Sequence, residues 1–169
     1  MSTNLGVITS CTGLTDLSLR DMPHLTNEAV QEIGRHCRLL QTLDISCCGQ
    51  ITDAAFSTLN VSVLTTLNVS HTAVTGSFAS SLLAPSSALR TLTCNFGTHL
   101  HEAFVASISS GAPLLDICVS GNNFSREDWI ELSILLPCLQ AITSYHSATL
   151  TTNVKAAMKQ QNHNLNILA

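Results

Sequence analysis

Residues 37–53 run Cys37-Arg38-Leu39-Leu40-Gln41-Thr42-Leu43-Asp44-Ile45-Ser46-Cys47-Cys48-Gly49-Gln50-Ile51-Thr52-Asp53. Leu40, Leu43 and Ile45 follow the spacing Leu-x-x-Leu-x-aliphatic. The last two are two residues apart, the period of a strand that turns one face inward. The stretch from Ser46 to Gln50 then reads as a turn. Ile51-Thr52 is an apolar residue followed by a hydroxyl, and a threonine there suits a helix N-cap because its oxygen accepts from a free N–H of the first turn.

The same pattern recurs in both directions. Anchors stand at Leu14, Leu40, Leu64, Leu89, Leu114 and Leu139, with Leu165 and Leu168 beginning a seventh, and the successive spacings are 26, 24, 25, 25, 25 and 26 residues. Each anchor is followed at ten or eleven residues by an apolar–polar pair: Leu25-Thr26, Ile51-Thr52, Val74-Thr75, Leu100-His101, Phe124-Ser125 and Leu150-Thr151. Ser125 with Asp128 approximates a capping box. Seven residues past each cap comes another apolar side chain (Ile33, Leu59, Leu82, Ile108, Leu132, Met158), and between them lies Val30, Phe56, Phe78, Phe104, Trp129 or Val154. That spacing is a helical stripe facing one side. Each unit therefore reads as strand, turn, capped helix and return. A unit of this size cannot bury such a face alone, whereas stacked units share one continuous core. The expected fold is an α/β solenoid of about six repeats of 24–26 residues. Parallel strands form its concave face and helices its convex face, with right-handed crossovers.

Composition agrees with a packed array and narrows the function. The 169 residues are 45% apolar but only 11% charged, with a net charge of −4. The seven Lys and Arg are scattered, so the basic density that tracks phosphates is missing, and neither nucleic acid nor an anionic membrane is an expected partner. The most apolar stretch, 130–142, is interrupted by Glu131, Ser133, Pro137 and Gln140, so no membrane span is expected. The first fifteen residues hold no basic residue and no unbroken apolar run, unlike a signal peptide. Seven Cys is an odd number, and most alternate with aliphatic residues as small hydrophobes would. A reducing cytoplasmic or nuclear compartment is expected, with the sequons at Asn60, Asn68 and Asn123 unused.

Residues 37–53 resemble the cysteine-containing leucine-rich repeat, of the ribonuclease-inhibitor-like superfamily, whose consensus runs Cys-x-x-Leu-x-x-Leu-x-Leu-x-x-Cys-x-x-Ile-Thr-Asp. Cys11-Thr12-Gly13-Leu14 and Leu25-Thr26-Asn27 echo it, and the likeness runs from residue 11 to 169. The place of the second consensus Cys is held by Met22, Cys48, Thr72, Gly97, Asn122 and Ser147. In the family this side chain satisfies backbone groups at the turn, which Gly97 cannot do. The resemblance implies a protein-binding array like the substrate-recognition part of F-box subunits in SCF-type ubiquitin ligases, or a free-standing adaptor. The thirteen residues before Leu14 are too few for an F-box and read as the tail of a preceding repeat, while 165–169 read as the start of a further one. A single array over 1–169 without proper caps is thus expected, with association through its ends or a place in a longer solenoid.

No chemistry-bearing set emerges. Cys47-Cys48, His36-Cys37 and His99-Leu100-His101 each fall short of the paired spacing a zinc site needs, with His99 and His101 read as turn and cap residues. Cys11 and Cys37 share one repeat position and are expected to be buried. No Cys or Ser gathers a His and an orienting acid, the eight Gly are isolated, and Glu127-Asp128 suit a helix first turn. Trp129 lies on the core stripe. No catalytic, metal or cofactor residue is therefore expected, and the chain is read as a non-enzyme. What remains is the strand face. Its outward columns are Asp16, Thr42, Thr66, Thr91, Asp116 and Ala141; then Ser18, Asp44, Asn68, Thr93, Cys118 and Thr143; then Arg20, Ser46, Ser70, Asn95, Ser120 and Tyr145; and last Asp21, Cys47, His71, Phe96, Gly121 and His146. The expected function is capture of a protein partner on this face, with Arg20, Asp44, His71, Phe96, Tyr145 and His146 as candidate contacts.

Overall fold

The computed structural model describes residues 10–96, 100 and 102–169. Seven three-residue strands form one parallel sheet in chain order: β1 Asp16–Ser18, β2 Thr42–Asp44, β3 Thr66–Asn68, β4 Thr91–Thr93, β5 Asp116–Cys118, β6 Ala141–Thr143 and β7 Asn166–Leu168. Register keeps one column in step: Leu17, Leu43, Leu67, Leu92, Ile117, Ile142 and Ile167. The fold is a leucine-rich-repeat-like α/β solenoid. Three residues make no stable strand alone, so each is held by its neighbours on the ladder and by the layer beneath.

That layer consists of α1 Asn27–His36, a 3-10 turn at Asp53–Phe56, α2 Ala79–Leu82, α3 Glu102–Ala106, α4 Arg126–Leu135 and α5 Thr152–Gln161. Every residue of the two predicted helical columns is buried, from Val30, Phe56, Phe78, Phe104, Trp129 and Val154 to Ile33, Leu59, Leu82, Ile108, Leu132 and Met158. Through the middle units the aromatic members stack. Ring centroids lie 5.2 Å apart for Phe56–Phe78, 5.9 Å for Phe78–Phe104 and 6.1 Å for Phe104–Phe124, and Trp129 meets Phe124 edge-on at 4.9 Å. Trp129 is fully buried and spends its indole N–H on Thr149 Oγ1 at 3.1 Å, as a buried indole requires.

The helices are less uniform than the pattern predicts. Thr26 caps α1, accepting from the Ala29 N–H, and Ser125 with Asp128 completes the expected capping box of α4. In the second unit, however, Leu64 comes only twelve positions after Thr52, against fourteen from Thr26 to Leu40. That unit accordingly closes as a 3-10 turn. In the third, Thr75 is no cap: α2 begins four residues later, after Gly76 at φ 110°. A Cβ at Gly76 would stand 2.5 Å from Phe104 Cβ, so the chain crosses the next unit's aromatic column where only glycine fits. His101 lies outside the described residues. The seventh unit is also corrected by one residue. Leu165 is buried, but Ile167 takes the inward place, and Leu168 is exposed.

Polar side chains tie unit to unit along the same edge. Asn27, the residue after the first cap, donates to Thr52 Oγ1 at 2.8 Å and accepts from the Thr52 N–H at 2.9 Å. Asp53, one unit on, accepts from the Thr75 N–H (2.8 Å) and Oγ1 (3.0 Å), the Gly76 N–H (3.0 Å) and the Phe78 N–H (3.0 Å). Partial burial raises the pKa of Asp53, but these four bonds outweigh it and hold the carboxyl below its ordinary value. A group with a lowered folded pKa adds stability above its unfolded value of about 4, which is lost as pH falls through the folded value. Asp53→Ala is expected to cost about 1–3 kcal/mol at pH 7, at the low end given its partial exposure. In urea unfolding the gap from the parent narrows as pH falls below about 4; a gap that stays constant between pH 7 and 3 would contradict the assignment.

Candidate protein-binding surface

Each strand from β1 to β6 runs past its three ladder residues into a turn that repeats closely. The residue seven past the anchor has positive φ in six successive units: Asp21 (59°), Cys47 (60°), His71 (55°), Phe96 (51°), Gly121 (71°) and His146 (62°). Its N–H donates to the next unit's backbone: Asp21 to Ser46 O, Cys47 to Ser70 O, His71 to Asn95 O, Phe96 to Ser120 O and Gly121 to Tyr145 O, at 2.7–3.0 Å. The left-handed conformation keeps the parallel ladder going for one more rung while the chain bends toward the helical layer. The next residue closes the turn from inside, as the family pattern implies. Cys48 Sγ donates to Leu19 O at 3.2 Å, Thr72 Oγ1 to Val69 O at 2.6 Å, and Asn122 Nδ2 to Cys94 O and Val119 O, both at 2.8 Å. Gly97 lies outside the described residues.

The residue before the left-handed one departs from its predicted exposure in three of the six units. Ser46, Ser70 and Ser120 are buried rather than displayed. From Ser46 to Tyr145 the N–H of this column finds a side-chain acceptor, chosen by what stands two residues earlier. Where that is Asp44 or Asn68, its own Oδ1 accepts from Ser46 N–H (2.9 Å) or Ser70 N–H (3.1 Å). Where it is Thr93, Cys118 or Thr143, the previous unit supplies the acceptor: Ser70 Oγ for Asn95 N–H (3.1 Å), Asn95 Oδ1 for Ser120 N–H (2.7 Å) and Ser120 Oγ for Tyr145 N–H (2.9 Å). Because Asn68 serves the third unit, the hydroxyl of Ser46 is left over. It is buried and without a hydrogen-bond partner among the described residues.

Five of the six predicted contacts are exposed, namely Arg20, His71, Phe96, Tyr145 and His146; Asp44 is half-buried and already engaged. Three of them form a stack. The His71 and Phe96 rings lie 5.1 Å apart at 13°, and Phe96 and His146 lie 6.4 Å apart at 43°. The missing step between them is Gly121, where a Cβ would fall 2.3 Å from Phe96 Cδ1, so the phenyl ring rests where a side chain would stand. Phe96 stays 44% exposed, and Tyr145, beside His146, 52%. Beside the stack a cleft of about 230 Å³ opens across four units, lined by Arg20, Ser46, Cys47, Asn68, Ser70, His71, Thr93, Asn95 and Phe96. Sequence columns contain Asn68, Asn95 and Ser46, but nothing in them shows that their hydrogen bonding differs from their neighbours'.

The thiols are mostly core elements. Burial pushes the Cys94, Cys48 and Cys37 thiols up, the last with a smaller push from Cys11, which keeps them protonated at neutral pH. Cys11, expected in the core beside Cys37, is exposed. No group of three or more His, Cys, Asp or Glu side chains that could hold a metal gathers among the described residues, and His99 and His101 lie outside them. Among them, too, no helix is long and apolar enough to cross a membrane.

No family model matches the chain, and no curated protein does. Among solved structures it is similar to the tropomodulin C-terminal domain of Caenorhabditis elegans. That match has a TM-score of 0.53 at 10% identity and covers 96% of this chain and 93% of that one. A likeness at that identity extends to the fold, a leucine-rich-repeat-like solenoid over nearly the full length, and not to what the surface binds.

Gly121→Ala provides a test of the stack. The new methyl displaces the Phe96 ring, and the residue still has to adopt positive φ, at a cost of about 1–2 kcal/mol. The ring-current shifts that Phe96 imposes on His71 should collapse toward random-coil values in NMR spectra. Shifts unchanged in a folded Gly121→Ala protein would contradict the packing of Phe96 over Gly121.

Proposed function

We propose that this chain is a non-catalytic protein-interaction module that captures its partner on the concave strand face. The observation that carries the reading is the exposed His71–Phe96–His146 stack beside the cleft that Arg20 borders. Exposed aromatic area is costly to leave in water, and here it is held in one orientation by ring contacts. A partner therefore gains contact area without paying to order it. Aromatic side chains and Arg are also the residues that dominate interface energetics. Most of the rest of the face is hydroxyl and amide, which supplies directional hydrogen bonds, with the carboxylates of Asp16, Asp21, Asp44 and Asp116 spaced among them.

The cysteine-containing form of the repeat is the family reading we favour, supported by Cys48, whose thiol closes its turn from a buried position. Buried thiols of this kind suit a reducing compartment, cytoplasmic or nuclear. On that reading the runner-up function is substrate recognition or regulation within an SCF-type ubiquitin ligase, and a structural segment of a longer solenoid comes after it.

Affinity capture of the tagged chain from its own cells, with and without the substitutions Arg20→Ala, Phe96→Ala and Tyr145→Ala together, tests the main reading. All three residues are exposed, so the melting temperature is expected to stay within a few degrees of the parent. Partner recovery is expected to fall at least about tenfold, since hot-spot truncations each cost about 2 kcal/mol or more. Undiminished recovery by the folded triple variant would overturn binding through this face. Ligase scaffold subunits among the specific partners would favour the runner-up.

A further inference from the structure

The cleft beside the stack has a chemical bias that follows from its internal hydrogen bonds. Asn68 spends Oδ1 on the Ser70 N–H, and Asn95 spends Oδ1 on the Ser120 N–H and the Cys118 thiol. Backbone N–H groups demand an oxygen, so the orientation of both amides is dictated, and each must leave its NH₂ as the unspent end. Neither Nδ2 has an acceptor among the described residues. To these donors the cleft adds the Arg20 guanidinium, which forms no ion pair among the described residues, and the buried, unpartnered hydroxyl of Ser46. Among the described residues no carboxylate lines it. Four donor-bearing side chains thus line one cleft without a partner for these groups among the described residues; the Ser46 hydroxyl is the buried one of the four, and a buried polar group left unsatisfied is a cost that a ligand can remove.

We infer that this cleft binds a single carboxylate side chain, Asp or Glu, on an extended segment of the partner protein. The oxygens lie between Arg20 and the Asn68 and Asn95 amides, and a neighbouring apolar residue packs on the exposed face of Phe96. This deepens the concave-face reading and rests on it. The volume suits one side chain and is below the range of about 300–1,000 Å³ usual for small-molecule pockets. Asp21 and Asp44 belong to the same turns but do not line the cleft. Their charge disfavours a run of acidic residues, so the site selects one carboxylate in a largely neutral segment.

The test is selection of random dodecapeptides displayed against the immobilised chain, followed by fluorescence anisotropy of the enriched peptides. The expected consensus has one acidic residue next to an apolar or aromatic one, and exchanging that acid for its amide weakens binding at least about tenfold. Asn95→Asp keeps both acceptor roles of the side chain but turns its donor end into a like charge. It is expected to abolish binding while the thermal melt is retained. Arg20→Gln, at an exposed position, gives the same reading should Asn95→Asp fold poorly. A neutral or basic consensus that Phe96→Ala abolishes would overturn the carboxylate inference and leave the concave-face reading standing. Peptides indifferent to Arg20, Asn95 and Phe96 would overturn both. Failure to enrich any peptide, or capture of inorganic phosphate in preference to the acidic peptides, would overturn the inference.

Discussion

The left-handed residue that follows each strand from β1 to β6 is the constraint on which the rest of the structure depends. Five of the six are not glycine, and for such residues the conformation costs about 1–2 kcal/mol. The bulky Phe96 is the least suited of them to it. What the conformation provides is geometry. The N–H reaches the next unit's carbonyl, the chain turns under the sheet, and the following side chain drops into the turn to bond backbone oxygens. The same geometry throws the side chain of the left-handed residue outward at the rim of the concave face. His71, Phe96 and His146 meet there because the fold repeats one backbone angle, so the recognition surface and the core share an origin.

Repetition at the strand edge tolerates irregularity behind it. The ladder keeps its register through a unit shortened to a 3-10 turn and another whose helix is a single turn. In those two places the load passes to the stacked Phe column and to the linked pairs Asn27–Thr52 and Asp53–Thr75. Nearest-neighbour coupling of this sort is what stabilises a solenoid, in which no unit is stable alone.

Much of this is legible in the residues. The Leu-x-x-Leu-x-aliphatic period locates β1 to β6, the two apolar columns after each cap are buried throughout, and the capping box at Ser125 is formed. Other features escape pattern reading for physical reasons. The left-handed column holds Asp, Cys, His, Phe, Gly and His, a mixture in which Gly121 alone offers the glycine signal on which turn rules depend. The serines before it look solvent-facing by alternation, yet the bend turns them inward, where the hydroxyls of Ser70 and Ser120 are acceptors. A one-residue slip exchanges the inner and outer faces of a strand, which is why Leu168 is outside and Ile167 inside. The donor bias of the cleft arises from which oxygen each Asn has committed, a property of pairs across units that no single column displays.

The most direct measurement is the backbone φ at these positions by NMR, from three-bond HN–Hα couplings and intraresidue Hα–HN cross-peaks on the labelled protein. Positive φ at Asp21, Cys47, His71, Phe96, Gly121 and His146, with ring-to-ring cross-peaks from His71 to Phe96, is the result this account predicts. Negative, extended φ at His71 and Phe96 would contradict it, because without the left-handed turn neither the extra rung nor the stack can form.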